Sequence, residues 1–237
     1  MSQGDVVVEV RGLVKDFHAL RPLRLTELIL RAGQSVALLG LDGPMAEVLV
    51  NLITGATLPD TGTVSVFGAP TTSIETADAW VRILDRFGLI SERAVLVDQF
   101  TAEQNLVLPI SLEIEQMSES LRGMTRHLAE QVKLPDAELG RPTGSLGAPS
   151  QLRVRLGRAL ALNPSVLLAE HPNALTTPED IGVFAVDYSR VVSDRGLASL
   201  VMTVDRSFAT AVAGEVLVLD PATGTLKPLS GWRRWLA

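Results

Sequence analysis

The sequence predicts an α/β fold, a mostly parallel sheet carrying a helix-rich insertion. Three observations predict it. Short apolar runs alternate with helical stretches near both ends of the chain. The middle, about residues 71–160, has several helical patterns and few strand-like ones. A glycine-bearing loop joins one buried strand to one helix.

The elements follow in order. Residues 5–10, Asp-Val-Val-Val-Glu-Val, are a β-branched run and read as a strand. Ser35 to Leu39 is a continuous apolar run, as in a strand buried on both faces. The loop Gly40 to Gly43 follows. Met45 to Thr54 then reads as a helix, with apolar residues at 45, 48, 49, 52 and 53 along one face. Leu58 to Gly62 is turn chemistry, and residues 63–67 are the next strand. Helical stretches are expected at 73–86, 101–107, 112–132 and 150–161, punctuated by Pro135, Pro142 and Pro149. Strands return at 165–169, 197–203 and 215–219, with helices at 178–194 and near 206–213 between them.

Composition narrows the function. A chain of 237 residues holds one domain, or one with a subdomain. The net charge of −6 argues against a protein that coats nucleic acid, which would carry a basic stripe. There is no cysteine, so disulfides, thiolate metal sites and cysteine nucleophiles are excluded. No apolar run approaches the ~18 residues of a membrane span, and the opening Met-Ser-Gln-Gly-Asp does not read as a signal peptide. The ending, Gly231-Trp232-Arg233-Arg234-Trp235-Leu236-Ala237, is basic and aromatic. It reads either as a contact with anionic lipid or a partner, or as a tail packed on its own domain.

A strand, a glycine loop and a helix in that order form the context for phosphate binding. Here the stretch runs from Gly40-Leu41-Asp42-Gly43-Pro44-Met45-Ala46-Glu47 to Thr54-Gly55. It resembles the phosphate loop and first helix of ABC-transporter ATPases. The resemblance continues in order over about residues 5–225. Val8 to Phe17 resembles the opening strand and adenine-stacking loop, with Phe17 at the aromatic place. Leu58 to Val64 resembles the strand-turn after the first helix, and Phe100 to Pro109 the segment after the Q-loop. Gln151 to Pro164 resembles the helix after the signature motif. Val166 to Pro172 falls at Walker B, Asn173 to Thr176 at the D-loop, and Val201 to Asp205 at the H-loop. Gln104-Asn105 and Leu108-Pro109 are similar to ATPases of bacterial lipid and lipoprotein transporters.

The resemblance implies a P-loop NTPase-like core with an N-terminal antiparallel β part. The core would comprise residues 1–89 and 162–237, with a helical subdomain over 90–161. It also implies ATP and Mg²⁺ as cofactors, a membrane permease as partner, and an intact ATPase subunit or a second copy as a further one. The expected location is cytoplasmic, peripheral to the inner membrane through those partners.

The chemistry the family needs is missing from its places. Ala46 stands for the phosphate-binding Lys and Glu47 for the metal-binding Ser. Met45 replaces a glycine, and Pro44 removes a backbone N–H. Asp42 and Glu47 put two carboxylates beside the place of a triphosphate. The same residues have a structural reading: a proline at the helix start and an acid in its first turn stabilise a helix without phosphate. Glu92 falls at the Q-loop Gln, where it could still ligate a cation. Glu170 replaces the Walker B Asp, His171 the general-base Glu, Thr176 the D-loop Asp and Val204 the H-loop His. A His after a buried strand is more often packed or hydrogen-bonded than catalytic. The signature reads Leu146-Gly147-Ala148-Pro149-Ser150. Losing the Lys, the metal ligand and the γ-phosphate His removes about 5 kcal/mol or more, at roughly 1.5–3 kcal/mol per charged hydrogen bond.

The expectation is therefore a cassette-type subunit with no working ATPase, a structural or regulatory partner, with no catalytic residue and no cofactor of its own. Nucleotide-site positions survive in altered form at Phe17, Gly40, Asp42, Gly43, Ala46, Glu47 and Glu92. Two alternatives stay open. One is an active ATPase working through Glu170 and His171, with Lys15 the nearest lysine to the loop. The other is a soluble ABC-type protein acting on ribosomes or DNA.

Overall fold

The computed structural model describes residues 4–229. The tail from Gly231 to Ala237 lies outside them. Among the described residues, ten strands form two sheets, with eight α-helices around them. The first sheet is antiparallel, ordered β2-β1-β4-β5, from β1 (Val6–Lys15), β2 (Leu23–Arg31), β4 (Thr61–Val66) and β5 (Ala69–Pro70). The second is ordered β10-β9-β3-β8-β7-β6. Its strands β9 (Glu215–Asp220), β3 (Ser35–Leu39), β8 (Ala198–Thr203), β7 (Val166–Glu170) and β6 (Phe87–Ile90) are parallel to one another. Strand β10 (Thr225–Pro228) returns antiparallel on β9.

Two apolar cores lie on the two faces of the parallel sheet, because successive strand side chains point to opposite faces. Val36, Leu38, Leu168, Leu200 and Met202 pack with α1 (Gly43–Ile53) and the antiparallel sheet. Ala37, Leu39, Leu167, Ala169 and Val201 pack on the other side with six helices. These include α3 (Ala102–Val107), α4 (Glu119–Gln131), α6 (Ala148–Leu160), α7 (Pro178–Arg195) and α8 (Arg206–Val212). The sixth, α5 (Asp136–Leu139), adds Leu139 at the edge of that core. Helix α2 (Ala77–Leu84) has no fully buried residue. Among the described residues, no helix is long and apolar enough to cross a membrane.

Several elements differ from the sequence reading. Strand β1 runs to Lys15 rather than stopping at Val10, and β2, β5, β6 and β10 were not anticipated. Strand β1 passes Gly12, at φ 57°, with a register shift against β4. A Cβ at Gly62 would meet the Gly12 carbonyl oxygen at 2.3 Å, so two glycines let the strands pass there. Helix α2 is shorter than 73–86 because Thr76 caps it, accepting from the Ala79 N–H. Helix α4 begins at Glu119, not near 112, because Ser118 accepts from the Leu121 N–H. Helix α5 is a further addition.

Candidate functional site

The site builds outward from the C-terminal edge of the parallel sheet, where β3, β7 and β8 end. After β3 the chain turns through Gly40, at φ 95°, where a Cβ would lie 3.0 Å from the Leu219 carbonyl oxygen. Leu41 is buried, and Asp42 becomes the N-cap of α1. An Asp42 carboxylate oxygen accepts from the Met45 N–H at 2.8 Å, and its carbonyl accepts from the Ala46 N–H at 2.9 Å. Gly43 and Pro44 open the helix, so Pro44 withholds a donor where the chain needs none. The Ala46 side chain is fully buried in the core. The first turn holds no acid, contrary to the sequence expectation. Asp42 sits just before it, and Glu47 falls on the second turn.

Glu47 faces two other elements. Arg93, on the loop after β6, reaches its carboxylate at 3.4 Å. The same guanidinium donates to the Glu170 carboxylate at 2.7 Å and to Asn51 Oδ1 at 3.4 Å. Glu170 ends β7 and is only 8% exposed. A buried carboxylate must be paired, and Arg93 pairs it. Burial pulls the Arg93 pKa down, but the Glu170 hydrogen bond and the charges of Glu170 and Glu47 outweigh this and raise it above the ordinary value.

The remaining predicted positions sit around this group. Glu92 is exposed and, among the described residues, takes part in no ion pair. Its neighbour Arg93, which sequence reasoning passed over, is the residue that turns inward. His171 has φ 46°, a strained region for a non-glycine residue, and its N–H donates to the Met202 carbonyl at 2.9 Å. Its Nε2 is buried and has no hydrogen-bond partner among the described residues, so of the packed or hydrogen-bonded histidine expected only packing is seen at that nitrogen. Val204, after β8, is 65% exposed and offers no polar group. Thr176 Oγ1 lies 3.4 Å from Asp180 at the start of α7. Phe17 is half-buried and packs on the core that holds α1. Lys15 is engaged elsewhere: its ammonium bonds Asp60 at 2.8 Å, which with the Asp16 N–H holds the Asp60 carboxyl below the usual range. The segment at the signature place begins α6 with Gly147 as an N-cap lacking a side-chain bond. Pro149 lies in the first turn, and Ser150 is buried.

Residues 23–174 match the family model described as ABC transporter, and the chain belongs to that family. Among curated relatives, the methionine import ATP-binding protein MetN of Brucella abortus (strain 2308) is 27% identical over 214 residues. That match covers 90% of this chain but only 57% of MetN. The glutamine transport ATP-binding protein GlnQ of Bacillus subtilis (strain 168) is 27% identical over 205 residues, 86% of this chain and 82% of GlnQ. Solved ATP-binding cassettes share the fold. The cassette MJ0796, in a dimeric post-hydrolysis state bound to ADP and Pi, superposes with a TM-score of 0.75 at 20% identity. That comparison covers 93% of this chain and 96% of the other. The cbiO1 protein of Clostridium perfringens, part of the transporter complex cbiONQ, gives 0.79 at 16% identity, with 94% and 87% covered.

Proposed function

We propose that this chain is a cassette-type subunit of an ABC transporter that neither binds Mg-ATP for turnover nor hydrolyses it. It serves as a structural or regulatory partner of a membrane permease. The observation that carries this reading is the state of the α1 start. The Met45 N–H is taken by the Asp42 side chain, Pro44 just before it has no N–H to offer, and position 46 carries a buried alanine in place of a cation. Glu47 and Glu170, at the two metal-side positions, already share Arg93. A triphosphate with its metal does not fit these residues. Its charge would meet Asp42 and Glu47 with no lysine to offset them, and its metal would have to displace a guanidinium.

The relatives named for methionine import and glutamine transport support a transporter subunit, and the dimeric cassette supports pairing with a second cassette. In this reading residues 1–89 and 162–237 act as the core unit and residues 90–161 as the helical unit that docks the permease. The protein would lie on the cytoplasmic face of the membrane, held there by its partners. The competing reading, an active ATPase, loses its nearest lysine to the Lys15–Asp60 pair.

Calorimetric titration of the purified chain with Mg-ATP, into the millimolar range, tests the proposal, with phosphate release measured in parallel. No heat and no turnover from a folded protein are expected. Micromolar binding would overturn the reading. Co-purification with a permease and an intact ATPase subunit would support the partner role, and isolation from its own cells as a lone monomer would count against it.

A further inference from the structure

The loop that joins β6 to α3 is held by charge from both sides. On one side stands α6. Arg155 donates to the carbonyls of Ala94 at 2.7 Å and Ser91 at 3.3 Å. Arg158 donates to the carbonyls of Val95 at 2.7 Å and Ala94 at 2.6 Å. Burial lowers the pKa of both guanidiniums, so these contacts are made by partly desolvated groups. On the other side stand α1 and the end of β7, reached by Arg93. Further along the loop, Asn105 closes on the Val97 backbone, accepting at 3.0 Å and donating at 3.1 Å.

We propose that Arg93 is a tethered ligand of the Glu47–Glu170 carboxylate pair. It fixes this loop, and through it α6, against the sheet without any external ligand. The proposal rests on the reading that no metal-nucleotide occupies the place. Its logic is geometric. Glu170 is buried at the mouth of the sheet and, among the described residues, has Arg93 as its one ion-pair partner. Glu47 projects from a different element to the same guanidinium. A planar cation with five donors can serve two carboxylates at once, and a point charge on a flexible stem cannot do so equally well. The carbonyl groups of Ser91, Ala94 and Val95, which flank Arg93, are meanwhile bonded to α6. The loop is thus a strut between the sheet edge and a helix, and its tension member is a side chain of its own.

Hydrogen exchange of the full chain, read by mass spectrometry without nucleotide, tests this. In Arg93→Gln, exchange over residues 91–98 should rise at least tenfold while β3 and β8 stay protected. Arg93→Lys, which keeps the charge and loses the fork, should fall between that variant and the wild type. Unchanged protection in Arg93→Gln would overturn the proposal, and Arg93→Lys matching the wild type would overturn the bridging role. Should Arg93→Gln fail to fold, Arg93→Gln/Glu170→Gln, which leaves no buried charge unpaired, is read in its place. Wild-type protection over 91–98 in that double variant would overturn the proposal. Adding Mg-ATP to the wild type separates the two claims. Slower exchange at the start of α1 would sink the functional reading, and the strut would still be judged by the nucleotide-free variants.

Discussion

Two neighbouring strands of the parallel sheet, β3 and β8, each hand over to a helix through a short loop capped by an aspartate. The loop after β3 falls at the phosphate loop of the resemblance, and the loop after β8 at its H-loop, with Val204 in the histidine's place. Asp205, before α8, accepts from the Ser207 N–H at 2.8 Å, the Ser207 hydroxyl at 2.6 Å and the Phe208 N–H at 3.0 Å. Asp42, before α1, accepts from Met45 alone. The α1 start is closed by its own side chain, as the α8 start is, but with fewer bonds. What α8 obtains from its cap, α1 takes partly from a distance, through Glu47, Arg93 and Glu170.

The largest expected effect therefore lies in the remote support. Arg93→Gln leaves Glu170 buried and unpaired. Breaking a fully buried pair costs about 3–5 kcal/mol. Arg93 is 38% exposed, so solvent screening reduces this to about 1–2 kcal/mol. Urea denaturation should show that loss, and Arg93→Gln/Glu170→Gln should recover most of it. A double variant as unstable as the sum of the two singles would mean the ion group contributes nothing as a unit.

The caps come next. Asp205→Ala should cost about 1–1.5 kcal/mol and Asp42→Ala about 0.5 kcal/mol, within the usual range for aspartate caps. Equal losses would remove the contrast between the two starts. Acid sharpens the test, because the Ser207 and Phe208 bonds hold the Asp205 carboxyl below the ordinary range, the Ser207 hydroxyl most strongly. A depressed folded pKa gives stability that is complete above the unfolded value, about 4, and is lost as pH falls through the folded one. The stability gap between wild type and Asp205→Ala should thus stay level near neutrality and close only below about pH 4.

These residues also show how far the sequence could be read. Ser35–Leu39 and Val166–Glu170 are legible because strands buried on both faces leave unbroken apolar runs. Strand β2 is not, because its buried positions change phase between Leu25 and Leu28, with Thr26 and Glu27 both exposed. Strand β6 hides behind Gly88, which is small because a Cβ there would lie 2.4 Å from the Ala159 carbonyl of α6. That reason is tertiary and leaves no local periodicity. The positions of Asp42, Glu47 and Glu170 were legible from order and spacing. Arg93 was not, because the Q-loop place falls on Glu92, and which of two adjacent loop residues turns inward depends on where β7 ends. The one signal in the chain was an arginine beside a site left with two carboxylates and no lysine.

The smallest effect is the most pointed. If the α1 start differed from a phosphate loop only by its missing lysine, Ala46→Lys would restore binding. The side chain at 46 is buried, yet a lysine stem can lie along apolar surface with its ammonium outside, so the variant can fold. It should still give no calorimetric heat with Mg-ATP below about 1 mM, an affinity worth only about 4 kcal/mol. Asp42 would continue to hold the Met45 N–H, Pro44 would still lack a donor, and Glu47 with Glu170 would still hold Arg93 in the metal's place. Submillimolar binding by this single variant would show that the cap and the ion group yield readily to a nucleotide, and that one missing charge is the whole difference between the two helix starts.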